Sequence, residues 1–319
     1  MLEYVLLLAG FFLLIKGAAY LVDGSSSIGK ILRIKPLIIG LTVLAFSTSL
    51  PELMINAISS VAGTSELGLG NIIGSNIANI LVILGICSFF LILKVRHIVV
   101  KKGIPFTLFS VLLLLILAND ALFSDGPNIL SRTDGIVFLI FFLIFIGYIY
   151  IISKKDKAKI LPEELKEKLS KRKTIMLIIG GIVALFIGGK LVVDSATTIA
   201  TSLGLSEFLI SATLLAVGTS LPELVVSLIA LFKKKLDFVV GNIIGSNIFN
   251  TFLVLGTSSI IRPIPFNPIY NVDLIFLFAT TTILLTFMYA GKKHKLEKWN
   301  SFILIGLYLF YITFLFARG

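Results

Sequence analysis

The chain has 319 residues, 57% of them hydrophobic and only 14% charged, with a mean hydropathy of +1.05. That balance excludes a soluble multidomain protein and indicates an integral membrane chain. The formal net charge of +11 does not point to a nucleic-acid partner, because the charges lie in short connections between apolar stretches.

In chain order, apolar stretches predict membrane helices over 4–23, 36–62, 67–93, 103–119 and 135–152. A second series follows over 174–198, 207–232, 236–261, 272–290 and 299–317. The first stretch has no Lys or Arg before it, so it is read as a retained span and not as a signal peptide. The domain organisation expected is a first five-helix unit over 1–152, a cytoplasmic linker over 153–173 and a second five-helix unit over 174–319. In the linker, Pro162, Glu163 and Glu164 at the start and Lys171, Arg172 and Lys173 at the end suit a short solvated helix. Cys87 has no intrachain partner and is expected to be a packing residue. His97 and His294 fall in basic connections and are expected to be solvated. Lys190 and Asp194 are spaced for an ion pair, Lys16 can snorkel, and Trp299 suits an interfacial anchor.

The two series are copies. Thr48, Ser49, Leu50, Pro51 and Glu52 recur 171 residues later as Thr219, Ser220, Leu221, Pro222 and Glu223. The block from Gly70 to Asn79 returns from Gly241 to Asn250, and Gly10, Gly17 and Asp23 return as Gly181, Gly188 and Asp194. Ten spans divide the connections into two sets. One set holds 23 of the 28 Lys and Arg residues; the other holds only Arg132, Arg262 and Arg318, with Lys16 and Lys190 inside spans. Positive residues mark the cytoplasmic side, so both termini are expected outside the cytoplasm of a cell-membrane protein. Five spans per copy is an odd number, so the copies insert with opposite topology, the plan of a secondary transporter.

A carboxylate at membrane depth is disfavoured by roughly 2.5 kcal/mol or more, so Glu52 and Glu223 indicate a cation pathway. Each lies 16 residues into its span, counted from Pro36 and from Glu207, so the inverted copies bring both to mid-membrane. Pro51 and Pro222 interrupt their helices and are expected to release carbonyls near Ser47 and Ala45, and near Ala216. Asn71, Ser75 and Asn79 form one helical stripe, as do Asn242, Ser246 and Asn250. Gly70 with Gly74, and Gly241 with Gly245, predict close helix approach. Oxygen-only donors favour hard cations such as Ca2+ and Na+, and two carboxylates balance one divalent or two monovalent ions. No nucleotide-binding motif appears, and no nucleophile has a nearby base, so an enzyme is not expected.

The doubled TSLPE followed by GNIIGSN resembles the two alpha-repeats of the sodium/calcium exchanger family, within the cation/calcium antiporter superfamily. The likeness spans essentially the whole chain and is to prokaryotic-type members without a regulatory domain. It implies that Glu52 and Glu223 are central calcium ligands assisted by Thr48 and Thr219. Ser49, Ser75, Ser220 and Ser246, with the carbonyls of Ala45 and Ala216, would form flanking sodium sites, and Asn79 and Asn250 would line the middle. The implied activity is Na+/Ca2+ antiport by alternating access, extruding Ca2+, with the two ions as bound substrates and no cofactor. A proton/calcium exchanger, a potassium-dependent exchanger and a channel are the alternatives. Ser47 stands where the family usually has the glycine found here as Gly218, and Asn250 replaces the acidic residue of potassium-dependent relatives. The fold expected is all-α: ten transmembrane helices in two inverted five-helix repeats, with helices 2, 3, 7 and 8 broken. Nothing in the sequence requires more than a monomer in membrane lipid.

Overall fold

The computed structural model describes residues 2–122, 127–155, 169–203, 218–290 and 292–318. Helix α1 is Leu2–Leu32, and α2 and α3 are Pro36–Thr48 and Leu50–Ala62, bent by 42° at Ser49. Pro51 causes the bend, since it has no N–H for the Ser47 carbonyl one turn back. Helix α4 runs Ser65–Ala78, passes through a π-helical turn at Asn79–Ile83 and ends as Leu84–Phe90. After strand β1 (Leu93–Lys94), helix α5 opens on a π turn, Val99–Gly103, and continues as Ile104–Leu117. Strand β2 (Ile129–Leu130) leads into α6 (Arg132–Lys155).

The second half opens with α7, Lys171–Ser202, and resumes with α8, Leu221–Phe232. Helix α9 repeats the pattern of α4: Leu236–Phe249, a π turn at Asn250–Val254, then Leu255–Ile261. Strand β3 (Ile264–Pro265), α10 (Tyr270–Phe287), β4 (Lys295–Leu296) and α11 (Lys298–Arg318) complete the chain. Among the described residues, eight helices are long and apolar enough to cross a bilayer, and the bent pair α2–α3 makes a ninth. The protein is therefore an all-helical membrane protein. Residues 204–217, where the seventh span was expected to begin, lie outside the described residues.

Two expectations need correction. Helices 3 and 8 are not broken: each carries a π turn within a continuous helix, because no proline removes a donor and one extra residue is absorbed by an i→i+5 bond. Leu84 N–H bonds the Asn79 carbonyl, and Leu255 N–H bonds that of Asn250. Lys171, Arg172 and Lys173 do not end a linker helix; they open α7, whose first turn is capped by Ser170 Oγ accepting from Lys173 N–H at 3.3 Å. That hydrogen bond outweighs the unfavourable placement of solvated cations at a helix N-terminus.

Glycine sets the closest contacts. Helix α1 lies antiparallel to α7, with Gly10 against Gly188 and Val192, and Gly17 against Gly181 and Leu185. A Cβ on Gly17 would lie 2.9 Å from the Gly181 carbonyl oxygen, so the two backbones touch where any side chain would separate them. The contact of Gly10 with Gly188 returns as that of Gly181 with Gly17 when each residue is replaced by its copy. Gly241 and Gly245 press on α2 in the same manner, against Gly40 and Ala45. For Gly70 and Gly74 the equivalent partners, 208–216, lie outside the described residues.

Helices α4 and α9 are the buried centre, and the others surround them. Phe252, in the second π turn, is held by Phe106, Phe109, Phe138 and Phe141 at ring distances of 5.5 to 6.5 Å. This aromatic packing fixes the outer face of the π turn whose first residue is Asn250.

The Lys- and Arg-rich connections converge at one end. Leu93 pairs with Leu296 between β1 and β4, Arg96 bridges to Asp237 at 2.9 Å, and Asp23 reaches Lys233 at 2.6 Å. Ser27 and Thr174, 2.7 Å apart, place the start of α7 there as well. The other strand pair, Leu130 with Ile264, joins the β2 and β3 connections, where Arg132 and Arg262 reside. Lys190 and Asp194 form the expected pair at 3.1 Å, and Trp299 stacks edge-on against Phe287. Cys87 is fully buried, as expected of a packing residue.

Candidate cation site

The bend in the second span and the start of α8 place Glu52 and Glu223 at the same position of two helices, the third residue after a serine cap. Ser-Leu-Pro-Glu has the spacing of a capping box, in which serine and glutamate each satisfy a backbone donor. Neither copy uses it. Ser49 and Ser220 make no side-chain cap bond, so both serine hydroxyls and both carboxylates remain available to the interior. Glu52 and Glu223 are 0% and 1% exposed, and they interact electrostatically with one another.

The two glutamates are not in the same state of satisfaction. Ser49 Oγ donates to Glu223 Oε1 at 3.4 Å and Ser246 Oγ lies 3.5 Å from the same atom. Among the described residues Glu52 Oε1 and Oε2 have no hydrogen-bond partner, and neither has Glu223 Oε2. Asn79 Oδ1 and Asn250 Oδ1 are likewise buried and unpartnered, as is Ser220 Oγ. Five buried carboxylate and amide oxygens without a donor are a large electrostatic deficit, since each unsatisfied buried group costs about 1–3 kcal/mol and more when charged. A cation is the species that such an all-acceptor set satisfies. Among the described residues no group of three or more His, Cys, Asp or Glu side chains is placed to hold a metal ion, so the oxygen set rests on two carboxylates.

The hydroxyls form the side walls by reaching across the halves. Thr48 Oγ1 lies 3.2 Å from Asn242 Oδ1 and 3.3 Å from Ser246 Oγ. In the mirrored contact, Thr219 Oγ1 donates to Asn71 Oδ1 at 3.0 Å and lies 3.3 Å from Ser75 Oγ. Asn71 and Ser75 of α4, and Asn242 and Ser246 of α9, thus each face the TSLPE segment of the other half.

One expected feature differs. The Ala45 carbonyl is not released by Pro51: it accepts from Ser49 N–H at 3.0 Å and lies 3.4 Å from Thr48 Oγ1. Proline deprives the residue four before it, which is Ser47, so the helical bond of Ala45 survives. Ala216 lies outside the described residues. Gly218 packs against Val193 of α7 so closely that a Cβ has no room, whereas Ser47 is accommodated with its Oγ on the Val43 carbonyl at 2.6 Å.

Three buried polar residues complete the surroundings without having been singled out in the sequence. Asn56 Nδ2 donates to the Glu52 carbonyl at 2.9 Å, Ser227 Oγ accepts from Asn242 Nδ2 at 3.3 Å, and Thr251 Oγ1 donates to the Asn247 carbonyl at 3.1 Å. Asn56 and Ser227 each lie four residues after a glutamate, so the helical stripe continuing from Glu52 and Glu223 was the signal for them.

A model of the family described as sodium/calcium exchanger protein matches residues 2–151 and 173–317. The chain is 34% identical over 320 residues to a putative antiporter, CaxA, of Alkalimonas amylolytica, with 98% of each chain covered. It is 30% identical over 349 residues to the sodium/calcium exchanger MaX1 of Methanosarcina acetivorans, again with 98% of each covered. Among solved structures it is similar to the sodium-calcium exchanger NCX_Mj soaked with 10 mM Na+ and no Ca2+, with a TM-score of 0.83, 32% identity and 98% of each chain covered.

Proposed function

The chain belongs to the sodium/calcium exchanger family, and on that premise we propose that it is a secondary antiporter exchanging Na+ for Ca2+ across the cell membrane. The observation that carries the proposal is the set of five buried, partnerless acceptor oxygens on Glu52, Glu223, Asn79 and Asn250. Glu52 and Glu223, with Thr48 and Thr219, hold Ca2+; Ser49, Ser75, Ser220 and Ser246 extend the site for Na+; Asn79 and Asn250 line its middle. Because the ions draw on one set of carboxylates, Na+ entering displaces Ca2+, and the sodium gradient drives Ca2+ outward.

The fold proposed is ten spans in two inverted five-helix repeats. It is supported by contacts that return on exchanging copies, such as Thr48 with Asn242 and Thr219 with Asn71. The convergence of the basic connections at one end supports placing that end in the cytoplasm and both termini outside. Alternating access is assigned to movement of α1 and α7 together, held to one another by their facing glycines, against the remaining helices. The site is built within one chain, so a monomer suffices.

The test is Ca2+ uptake into proteoliposomes loaded with Na+, comparing wild type with Glu52→Gln and Glu223→Gln. An outward sodium gradient is expected to drive uptake, and each variant to reduce it at least about 100-fold, in line with loss of a buried charge partner. Undiminished exchange in both variants overturns the site. Uptake that follows an imposed pH gradient in the absence of Na+ assigns the counter-ion to H+ instead.

A further inference from the structure

Four asparagines at the crossing of α4 and α9 form a hydrogen-bonded network whose donors and acceptors are ordered by two backbone carbonyls and one hydroxyl. Thr251 Oγ1 gives its single proton to the Asn247 carbonyl (3.1 Å), so toward Asn76 Nδ2, 3.2 Å away, it offers only lone pairs. The Asn247 carbonyl, which accepts only, also faces Asn76 Nδ2 at 3.5 Å. The Asn76 amide is thereby oriented, and its Oδ1 receives Asn250 Nδ2 at 3.1 Å. On the other side, Asn247 Nδ2 donates to the Asn76 carbonyl at 3.2 Å, which leaves Asn247 Oδ1 to receive Asn79 Nδ2 at 2.9 Å. Two backbone carbonyls and one hydroxyl thus dictate which end of every amide points where.

The consequence falls on Asn79 and Asn250. Each donates sideways to an asparagine of the opposite half, and each is left with an unpartnered, buried Oδ1. The π turn that Asn79 opens packs against α8, which carries Glu223, and the one that Asn250 opens packs against α3, which carries Glu52. An amide turned the other way would present N–H groups to a cation. We propose that Asn76 and Asn247 are positioning residues which hold the Asn250 and Asn79 amides with oxygen toward the ions, so that the site presents acceptors only. They act crosswise, Asn76 through Asn250 and Asn247 through Asn79, each across the two halves. This rests on the site reading given under Proposed function.

The experiment is a set of double-mutant cycles on the Ca2+ concentration for half-maximal Na+-driven uptake in proteoliposomes. Asn76→Leu, Asn247→Leu, Asn79→Ala and Asn250→Ala are each expected to raise it about 10-fold. Combining Asn76→Leu with Asn250→Ala, or Asn247→Leu with Asn79→Ala, is expected to add less than about 2-fold to the larger single effect. The same-helix pair Asn76→Leu with Asn79→Ala is expected to multiply toward about 100-fold. Multiplication in the crosswise pairs, the pattern of a merely structural role, overturns the proposal. Asn76→Ser and Asn247→Ser replace any leucine variant that does not accumulate in the membrane. Glu52→Gln and Glu223→Gln run in parallel separate the two levels: retained exchange there defeats the site itself, whereas lost exchange with multiplicative crosswise cycles defeats only the positioning role.

Discussion

Ser49 Oγ of the first half donates to Glu223 Oε1 of the second at 3.4 Å, whereas Ser220, the copy of Ser49, has a buried hydroxyl with no partner among the described residues. A hydroxyl whose proton is held by a carboxylate presents its lone pairs in a fixed direction, ready for a cation. The unpartnered copy has no such orientation. Ser49→Ala is therefore expected to raise the Na+ concentration for half-maximal Ca2+ efflux by roughly 10-fold, the worth of one hydrogen bond to a charged group. Ser220→Ala is expected to raise it less. The sodium dependence of efflux from Ca2+-loaded proteoliposomes compares the two, and equal effects count against a pre-oriented Ser49.

The glycine faces of α1 and α7 give a prediction with an internal control. A Cβ on Gly181 would lie 2.8 Å from the Gly17 carbonyl oxygen, a backbone atom that cannot move alone. A Cβ on Gly180, its neighbour, would meet nothing within 4 Å among the described residues. Gly181→Val is expected to destabilise the protein by about 1–3 kcal/mol through overpacking. Gly180→Val faces open surroundings and is expected to change little. Thermal unfolding of both variants in one detergent measures the difference, and parity between them contradicts the close approach.

The basic end carries a contact that its counterpart lacks. Asp23 on α1 pairs with Lys233 at 2.6 Å and lies 3.8 Å from Lys235, on the turn between α8 and α9. Its copy, Asp194, pairs along its own helix with Lys190, and the copies of Lys233 and Lys235 are Ala62 and Thr64. The Asp23 pair thus ties the first helix to the turn between α8 and α9 at the basic end. Both partners are partly solvated, so the tie is worth about 1 kcal/mol at most. Asp23→Asn is expected to increase hydrogen exchange at the Lys30 end of α1 by up to about 5-fold at low salt, with the difference shrinking in high salt as screening removes the pair in the wild type. An exchange rate unchanged at low salt rules the tie out.

The chemistry of this site was more legible in the sequence than its geometry. Glu52 and Glu223 stand out because carboxylates at membrane depth are rare, and their repetition beside Pro51 and Pro222 pairs them before any coordinates are known. The stripes of Asn71, Ser75 and Asn79 and of Asn242, Ser246 and Asn250 follow from helical spacing. What spacing does not contain is register between helices, so the crossing of Thr48 to Asn242 and of Thr219 to Asn71 had to come from the structure. The π turns at Asn79 and Asn250 were invisible for a different reason. A π turn arises when packing inserts one residue into a helix, and neither position carries a proline or glycine to mark it. The retained Ala45 carbonyl bond shows the limit of reading a proline as a general break: only the carbonyl four residues earlier loses its donor.

Asn250 carries the last prediction. Its Nδ2 donates to Asn76 Oδ1 at 3.1 Å, so the network requires a donor at this position. An aspartate there would set two acceptors against each other and add a third negative charge beside Glu52 and Glu223. The resemblance implies an acidic residue at this place in potassium-dependent relatives, a charge able to hold a further cation; this chain has an amide. Exchange is accordingly expected to proceed at an unchanged rate when K+ is replaced by choline on both sides of the membrane. Asn250→Asp is expected to raise the Ca2+ concentration for half-maximal uptake about 10-fold at neutral pH, through loss of a buried hydrogen bond. The Asn250→Asp defect is expected to be smaller when Asn76→Leu has already removed the facing acceptor, because the repulsion then has no second partner. Uptake measured with and without K+ for the wild type, and as a function of Ca2+ for the single and double variants, checks both expectations; a K+ requirement in the wild type excludes the amide as the reason for two-ion exchange.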